Sequence, residues 1–264
     1  MPLYSATSPL PVNMERRRLF NPSRISGLDL WLDAADGNTL FDETSGGNFV
    51  TTNGGSVKRW EDKSGGGRHA SCAGHTLVFP TLTTAGKNGK NVINFATSKY
   101  LTSSFTGITY TAQTSFIVFQ FLSAASSFGR ALTQSVNLAS DDFLGNHYIQ
   151  LVRNSTNNEF CSYAGNAVAS TVSATPNQYY IARARHSGSS LTLKLNSSEG
   201  SSFSHALNFN FSVFRIGSFI PANILPGNSF INSPVAEVII YRKSLTDAES
   251  DLVTNYLNSK WAVY

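Results

Sequence analysis

The sequence predicts an all-β fold, a two-sheet antiparallel jelly-roll sandwich closed by one C-terminal helix. Three observations carry that expectation. Hydrophobic residues alternate with a period of two from Leu28 onward, which is the signature of strands with one buried face. Ser, Thr and Asn together number 81 among 264 residues and only 14% of residues are charged, a composition that suits strands and turns. One segment near the C-terminus breaks the period and takes up a helical one.

Residues 1–24 come first and read as an extended basic arm with four prolines and no sustained period. Arg16, Arg17, Arg18 and Arg24 stand there against Glu15, so most of the net charge of +4 lies in the arm. The remainder, residues 25–264, is close to neutral, and nucleic acid is therefore not expected as a partner of the domain. The arm, with Arg16, Arg17, Arg18 and Phe20, is expected to dock on a neighbouring subunit or another protein.

The jelly-roll domain begins with Leu28, Leu30 and Leu32 alternating with Asp29, Trp31 and Asp33. Further strands are expected at Val57–Glu61, Asn91–Phe95, Ser115–Leu122, Tyr148–Arg153, Glu159–Tyr163, Val213–Ser218 and Val235–Tyr241. Residues Gln178–Asn196 hold two alternating runs about His186-Ser-Gly-Ser-Ser190, a hairpin signal with glycine available for positive φ. Thr246 followed three residues later by Glu249 forms a capping box, Asp247 sits in the first turn and Lys260 in the last. Leu245, Ala248, Leu252, Val253, Tyr256, Leu257 and Trp261 recur at three and four, so one helix stripe should pack on the sandwich with Trp261 at its rim.

Cys72 and Cys161 are distant and lack CxxC spacing, which predicts two small buried residues and neither disulfide nor zinc. No window approaches 18 apolar residues and no apolar leader precedes a small-residue cleavage site, so the reading is of a soluble chain without membrane contact.

Three segments resemble the concanavalin A-like lectin/glucanase superfamily, in particular its LamG-like, pentraxin-related modules of phage and bacterial surface proteins. They are Ile25-Ser-Gly-Leu-Asp-Leu-Trp-Leu-Asp-Ala-Ala-Asp36, Val57-Lys-Arg-Trp-Glu-Asp-Lys-Ser-Gly-Gly-Gly-Arg-His-Ala70, and Val235-Ala-Glu-Val-Ile-Ile-Tyr-Arg-Lys-Ser-Leu-Thr-Asp-Ala-Glu249 with the helix after it. The resemblance spans residues 25–261 and implies two curved antiparallel sheets. It also raises the expectation of sugar binding or of a role on a virus particle. The triple glycine before His69-Ala70 and the arm depart from the family pattern. The scaffold hosts lectins, hydrolases, adhesion modules and virion proteins, so function must be argued from sites.

Glycosidases need two carboxyls about 5–5.5 Å or about 6.5–9.5 Å apart. The superfamily's Glu-x-Asp-x-Glu strand motif is absent, and Asp29 and Asp33, expected on one polar face with Trp31, would stand about 13 Å apart at strand rise. Catalysis is therefore not expected. Asp33, Asp36, Asn38 and Asp62 form a set of oxygen ligands that would suit calcium, and the same residues close Asx turns without a metal. Trp31, Trp60, Asp62, Arg68 and His69 combine aromatic rings, charges and a glycine loop as a ligand-contacting edge, against a reading with Trp60 in the core and Asp62 closing the turn.

Together these lines predict a non-enzymatic virion structural protein, a capsid decoration, cement or fibre subunit. In that reading the arm anchors to other virion proteins or to copies of the chain, on particles assembled in a host cytoplasm. The alternative is a glycan-binding adhesion module at an extracellular surface, and a glycoside hydrolase is the third reading.

Overall fold

The computed structural model describes residues 20–72, 79–96, 99–122, 129–137, 147–153, 158–164, 167–206, 208–218 and 230–264. Arg16, Arg17 and Arg18 of the expected arm lie outside the described residues.

The strands, in chain order, are β1 (Leu28–Asp33), β2 (Leu40–Phe41), β3 (Arg59–Trp60), β4 (Ala70–Ser71), β5 (Thr81–Lys87), β6 (Lys90–Phe95), β7 (Leu101–Tyr110), β8 (Gln113–Phe121) and β9 (Gly129–Ser135). They continue as β10 (His147–Arg153), β11 (Glu159–Ala164), β12 (Ala167–Ser173), β13 (Gln178–His186), β14 (Ser190–Leu195), β15 (Ser198–Glu199), β16 (Phe203–Ser204), β17 (Phe209–Ile216) and β18 (Ser233–Tyr241). One α-helix is present among the described residues, α1 (Asp247–Trp261).

These strands form two antiparallel sheets, as the period-two pattern requires. The back sheet runs β15-β14-β13-β8-β18-β6-β5, with β1 paired to β18 and β16 to β14. The front sheet runs β12-β11-β10-β9-β17-β7-β4-β3-β2. Between them lies the main core, which takes Leu30 and Leu32 of β1, Ile117, Phe119 and Phe121 of β8, Leu191, Leu193 and Leu195 of β14, and Phe211, Phe214 and Ile216 of β17. Each fully buried side chain of this size contributes about 1.5–3 kcal/mol.

The back sheet is covered on both faces, and its central strands β8 and β18 accordingly turn apolar residues to both sides. Phe116 and Val118 of β8, Ile239 and Tyr241 of β18, and Trp31 point away from the main core into a second one beneath α1. There they meet Val253, Leu257 and Trp261. Glu237 sits among them with no solvent exposure. Its carboxylate accepts hydrogen bonds from the indole N–H groups of Trp31 and Trp261, both at 2.7 Å, from the Tyr256 hydroxyl at 2.9 Å and from Lys260 Nζ at 2.8 Å. A buried carboxylate is tolerable only when so satisfied.

The helix starts where the capping box places it. The Thr246 hydroxyl accepts from the Glu249 N–H and the Glu249 carboxylate accepts from the Thr246 N–H. It ends on Ala262, which closes the last turn in the left-handed conformation with φ of 49°. The buried stripe is narrower than the sequence implies: Ala248 and Leu252 are exposed, and Trp261 lies fully buried rather than at the rim. The helix meets the sheet along Ser250, Val253, Leu257 and Trp261, spaced three and four apart, which leaves Leu252 a quarter-turn out.

The β13–β14 hairpin also forms as expected, with Arg183 opposite Lys194, and Gly188 supplies φ of 93° in its turn. Strand β3 is shorter than the expected Val57–Glu61, because its edge pairing with β2 and β4 extends over two residues. At the N-terminal side, Phe20 stacks edge-on against Tyr256 and the Tyr241 hydroxyl donates to the Pro22 carbonyl. Cys72 and Cys161 are both buried and not joined in a disulfide, and burial pushes Cys72 up to about 12.

Candidate functional site

Residues predicted to form a ligand edge or a metal site come together around the start of β1 and the loop after β3. Asp62 is buried, and its carboxylate accepts from the backbone N–H groups of Trp31 at 2.9 Å, Ser64 at 2.8 Å and Arg68 at 3.0 Å, and from the Ser64 hydroxyl at 2.7 Å. The Asp62 N–H donates to Nδ1 of His69, an exposed ring. Arg68 donates to the Asp29 carbonyl at 2.6 Å and pairs with the Asp29 carboxylate at 3.1 Å. Trp60 is wholly within the main core, and Trp31 lies beneath the helix with Lys63 over its ring. Both tryptophans are therefore packed side chains with no open face for a sugar.

The shared polar face expected for Asp29, Trp31 and Asp33 is corrected by a register shift between Leu28 and Leu30. This bulge turns the Asp29 carboxylate to the Tyr110 hydroxyl, while Asp33 stays on the helix side. Burial and the Asp29 charge raise the Tyr110 hydroxyl above the usual tyrosine range.

The oxygen-ligand set is occupied by cations of the chain itself. Lys63 Nζ lies 3.0 Å from Asp33 and 2.7 Å from Asp36, and Lys260 Nζ lies 2.5 Å from Asp33. Lys63 holds the Asp36 carboxyl below the usual carboxylate range. Asp33 and Asp36 also accept from the Ala35 and Asn38 N–H groups, as Asx turns do, and the Asn38 side chain is exposed. No group of three His, Cys, Asp or Glu among the described residues is placed to hold a metal ion. An ion entering at Asp33 would have to displace two lysines.

A different feature has the shape of a binding site. On the helix-side face of the back sheet, where β13 and β14 run past α1, a cleft of about 240 Å³ opens. Strand β13 contributes Arg183, which is only 5% exposed, and β14 contributes Lys194 directly opposite. The two-residue turn after β14 adds Asn196 and Ser197. Asn196 has φ of 54°, fixed by the bond from the Ile181 N–H to its side-chain carbonyl. From the helix come Asp251, Thr254 and Asn255, one turn apart on one flank.

Tyr264, a residue 58% exposed, also lines the cleft. Asn258 positions it, accepting from the Val263 and Tyr264 N–H groups at 3.0 Å and donating to the Tyr264 carbonyl at 2.7 Å. Partial burial and Asp251 raise the Tyr264 hydroxyl above its usual value. An aromatic ring next to a guanidinium, two primary amides and a carboxylate offers a stacking surface and directional hydrogen bonds. Among the residues that line the cleft, Asp251 is the single side-chain carboxylate, so a glycosidase-type pair is not built there.

None of these cleft residues stands out in the sequence. Arg183 reads as one more charge in the alternating run Ile181-Ala-Arg-Ala-Arg185, and Tyr264 follows the last predicted element.

No protein-family model matches the sequence, and no curated protein is significantly similar to it. Solved structures do share the fold. A Trypanosoma rangeli sialidase in complex with sialic acid superposes with a TM-score of 0.54 and 14% identity, covering 89% of this chain and 33% of the sialidase. A GH54 α-L-arabinofuranosidase soaked with a cyclic sulfate inhibitor superposes with a TM-score of 0.62 and 11% identity, covering 89% of this chain and 63% of that enzyme. The fold is the concanavalin A-like type of β-sandwich. The chain thus spans about a third of the sialidase and less than two thirds of the arabinofuranosidase.

This finding corrects two expectations. The sandwiches that match nine-tenths of the chain belong to glycoside hydrolases, so the expected non-enzymatic virion structural protein and the expected lack of enzyme character are set aside. The sequence pieces that led there reflect a scaffold shared by many functions.

Proposed function

We propose that this chain is a carbohydrate-active β-sandwich of the kind carried by glycoside hydrolases, and that it engages a saccharide in the Tyr264 cleft. The observation that carries the reading is the cleft itself: an exposed tyrosine whose backbone Asn258 holds, lining one cleft with Arg183, Asn196, Asp251 and Asn255. Sugars are recognised by an aromatic platform flanked by planar hydrogen-bonding groups, and this set supplies both. Its volume falls below the roughly 300–1,000 Å³ of clefts that enclose drug-sized ligands, as suits the end of a saccharide chain. The sialidase and the arabinofuranosidase support the substrate class by what their names say they act on. Within the superfamily we assign the chain to the LamG-like, pentraxin-related modules, on the three segments at 25–36, 57–70 and 235–249.

A glycan array followed by calorimetry tests this. Saturable binding to at least one glycan class, weakened about tenfold or more by Tyr264→Ala, is the expected result. A folded protein that leaves the array blank refutes the reading. Incubation of the bound glycan with the protein, with products separated by chromatography, shows whether engagement leads to cleavage.

A further inference from the structure

The charges of the cleft are arranged in a way that neutral-sugar binding does not explain. Arg183 and Lys194 are direct cross-strand neighbours on the same face. Like charges so placed repel and weaken a sheet. The next cation on β13, Arg185, is already engaged by Asp247 at 2.5 Å and by the Leu245 carbonyl. Among the described residues Arg183 is not so engaged: the carboxylate it pairs with is Glu199 at 3.8 Å, a side chain 48% exposed, and its buried Nε has no hydrogen-bond partner there. Lys194 forms no ion pair among the described residues. Arg183, a residue 95% hidden from water with an Nε donor left unpaired among the described residues, lies in the wall of an open cleft beside a second cation. Buried cations are retained where an anion or a hydrogen-bonding network completes them.

Resting on the reading that the cleft takes a saccharide, we propose that it selects saccharides bearing an anionic substituent, a carboxylate or a sulfate ester, received between Arg183 and Lys194. The planar fork of Arg183 matches two oxygens of either group. Asp251, on the opposite wall, is then left for the neutral hydroxyls and disfavours ligands carrying a second anionic group near it. The tyrosine ring covers the apolar face of the same sugar.

Calorimetric titration with matched pairs decides the matter: lactose against sialyllactose and sulfated lactose, and a glucose disaccharide against its glucuronate counterpart. The expected result is a preference of roughly tenfold or more for the charged member of at least one pair, shrinking as salt is raised. Lys194→Gln, at a half-buried side chain, should cut that preference several-fold, and Arg183→Gln should abolish it. Phe49→Ser, on the front sheet's far edge, serves as a control. Urea unfolding confirms that each variant folds, and Lys194→Gln keeps the test alive should Arg183→Gln fail.

Equal binding of neutral and charged members overturns the selectivity and leaves the carbohydrate reading standing. A charged preference untouched by either substitution also overturns it, placing the anion elsewhere. Binding of inorganic sulfate with none of the sugars overturns both proposals, and so does binding of nothing.

Discussion

Replacing Glu237 by Gln tests how the helix is fastened to the sandwich. The carboxylate accepts four hydrogen bonds, from Trp31 and Tyr256 on one oxygen and from Trp261 and Lys260 on the other. A glutamine of the same shape offers one carbonyl oxygen, and its NH₂ group faces the remaining two donors in either orientation. Each donor so stranded costs about 1–3 kcal/mol, and Lys260 also loses one of its two buried partners. Asp33 still holds Lys260 at 2.5 Å and limits the damage. The sum is about 3–5 kcal/mol, the range seen when one member of a buried ion pair is removed. That is a large share of the roughly 5–15 kcal/mol that holds a typical domain. Urea unfolding at neutral pH, followed by circular dichroism and tryptophan fluorescence, reads the loss as a lower midpoint with an unchanged slope. A decrease under about 1 kcal/mol would refute the view that this carboxylate ties α1, β1 and β18 together.

Further outcomes follow from other residues. His186 is buried, and desolvation, with His205 adding to it, pushes its imidazole down to about 4. A depressed folded-state value means that the unfolded chain binds the proton first, so stability is intact above about 6.5 and falls by about 3 kcal/mol as pH drops to about 4. Unfolding at a series of pH values should show that slope in the native chain and lose it in His186→Gln. Ala262→Gly should raise stability by about 1 kcal/mol by relieving a side chain in the left-handed region, read from the thermal midpoint; no gain would mean that the strain is absent. Asp62→Ala removes the acceptor of three backbone N–H groups and should cost about 3 kcal/mol while opening residues 62–69 to protease. A loop that resists cleavage in that variant would contradict the turn-closing role.

How much was legible depends on whether the signal is local. The capping box needs only Thr246 and Glu249, and it is present as the sequence predicts. The β13–β14 hairpin likewise follows from its own alternation and Gly188. The bulge at Asp29 was not legible, because it depends on how β1 matches a partner strand some two hundred residues away. Glu237 left a faint trace as the one acid in the run Val235-Ala-Glu-Val-Ile-Ile240, where a central strand should be apolar. Two tryptophans and a tyrosine that need hydrogen-bond partners could have been matched to it. The cleft was illegible for a plainer reason. Arg183, Lys194, Asp251 and Tyr264 come from a hairpin, a helix and the residues beyond it, and the crossing of α1 over β13 and β14 alone brings them together.

The Glu237 knot has a bearing on biosynthesis. It joins segments some two hundred residues apart: β1 pairs with β18, and the Trp31 indole shares one carboxylate with Trp261. A chain emerging from the ribosome cannot finish its back sheet from the N-terminal end, since β1 has no strand partner until residues 237–241 are out. Until then Leu30 and Leu32 wait exposed, and so does the unpaired edge of β1. Closure over so long a sequence separation is slow. Between the appearance of β1 and that of β18 the nascent chain is therefore most open to aggregation and to chaperones at this strand, and the pairing of β1 with β18 under α1 closes that window.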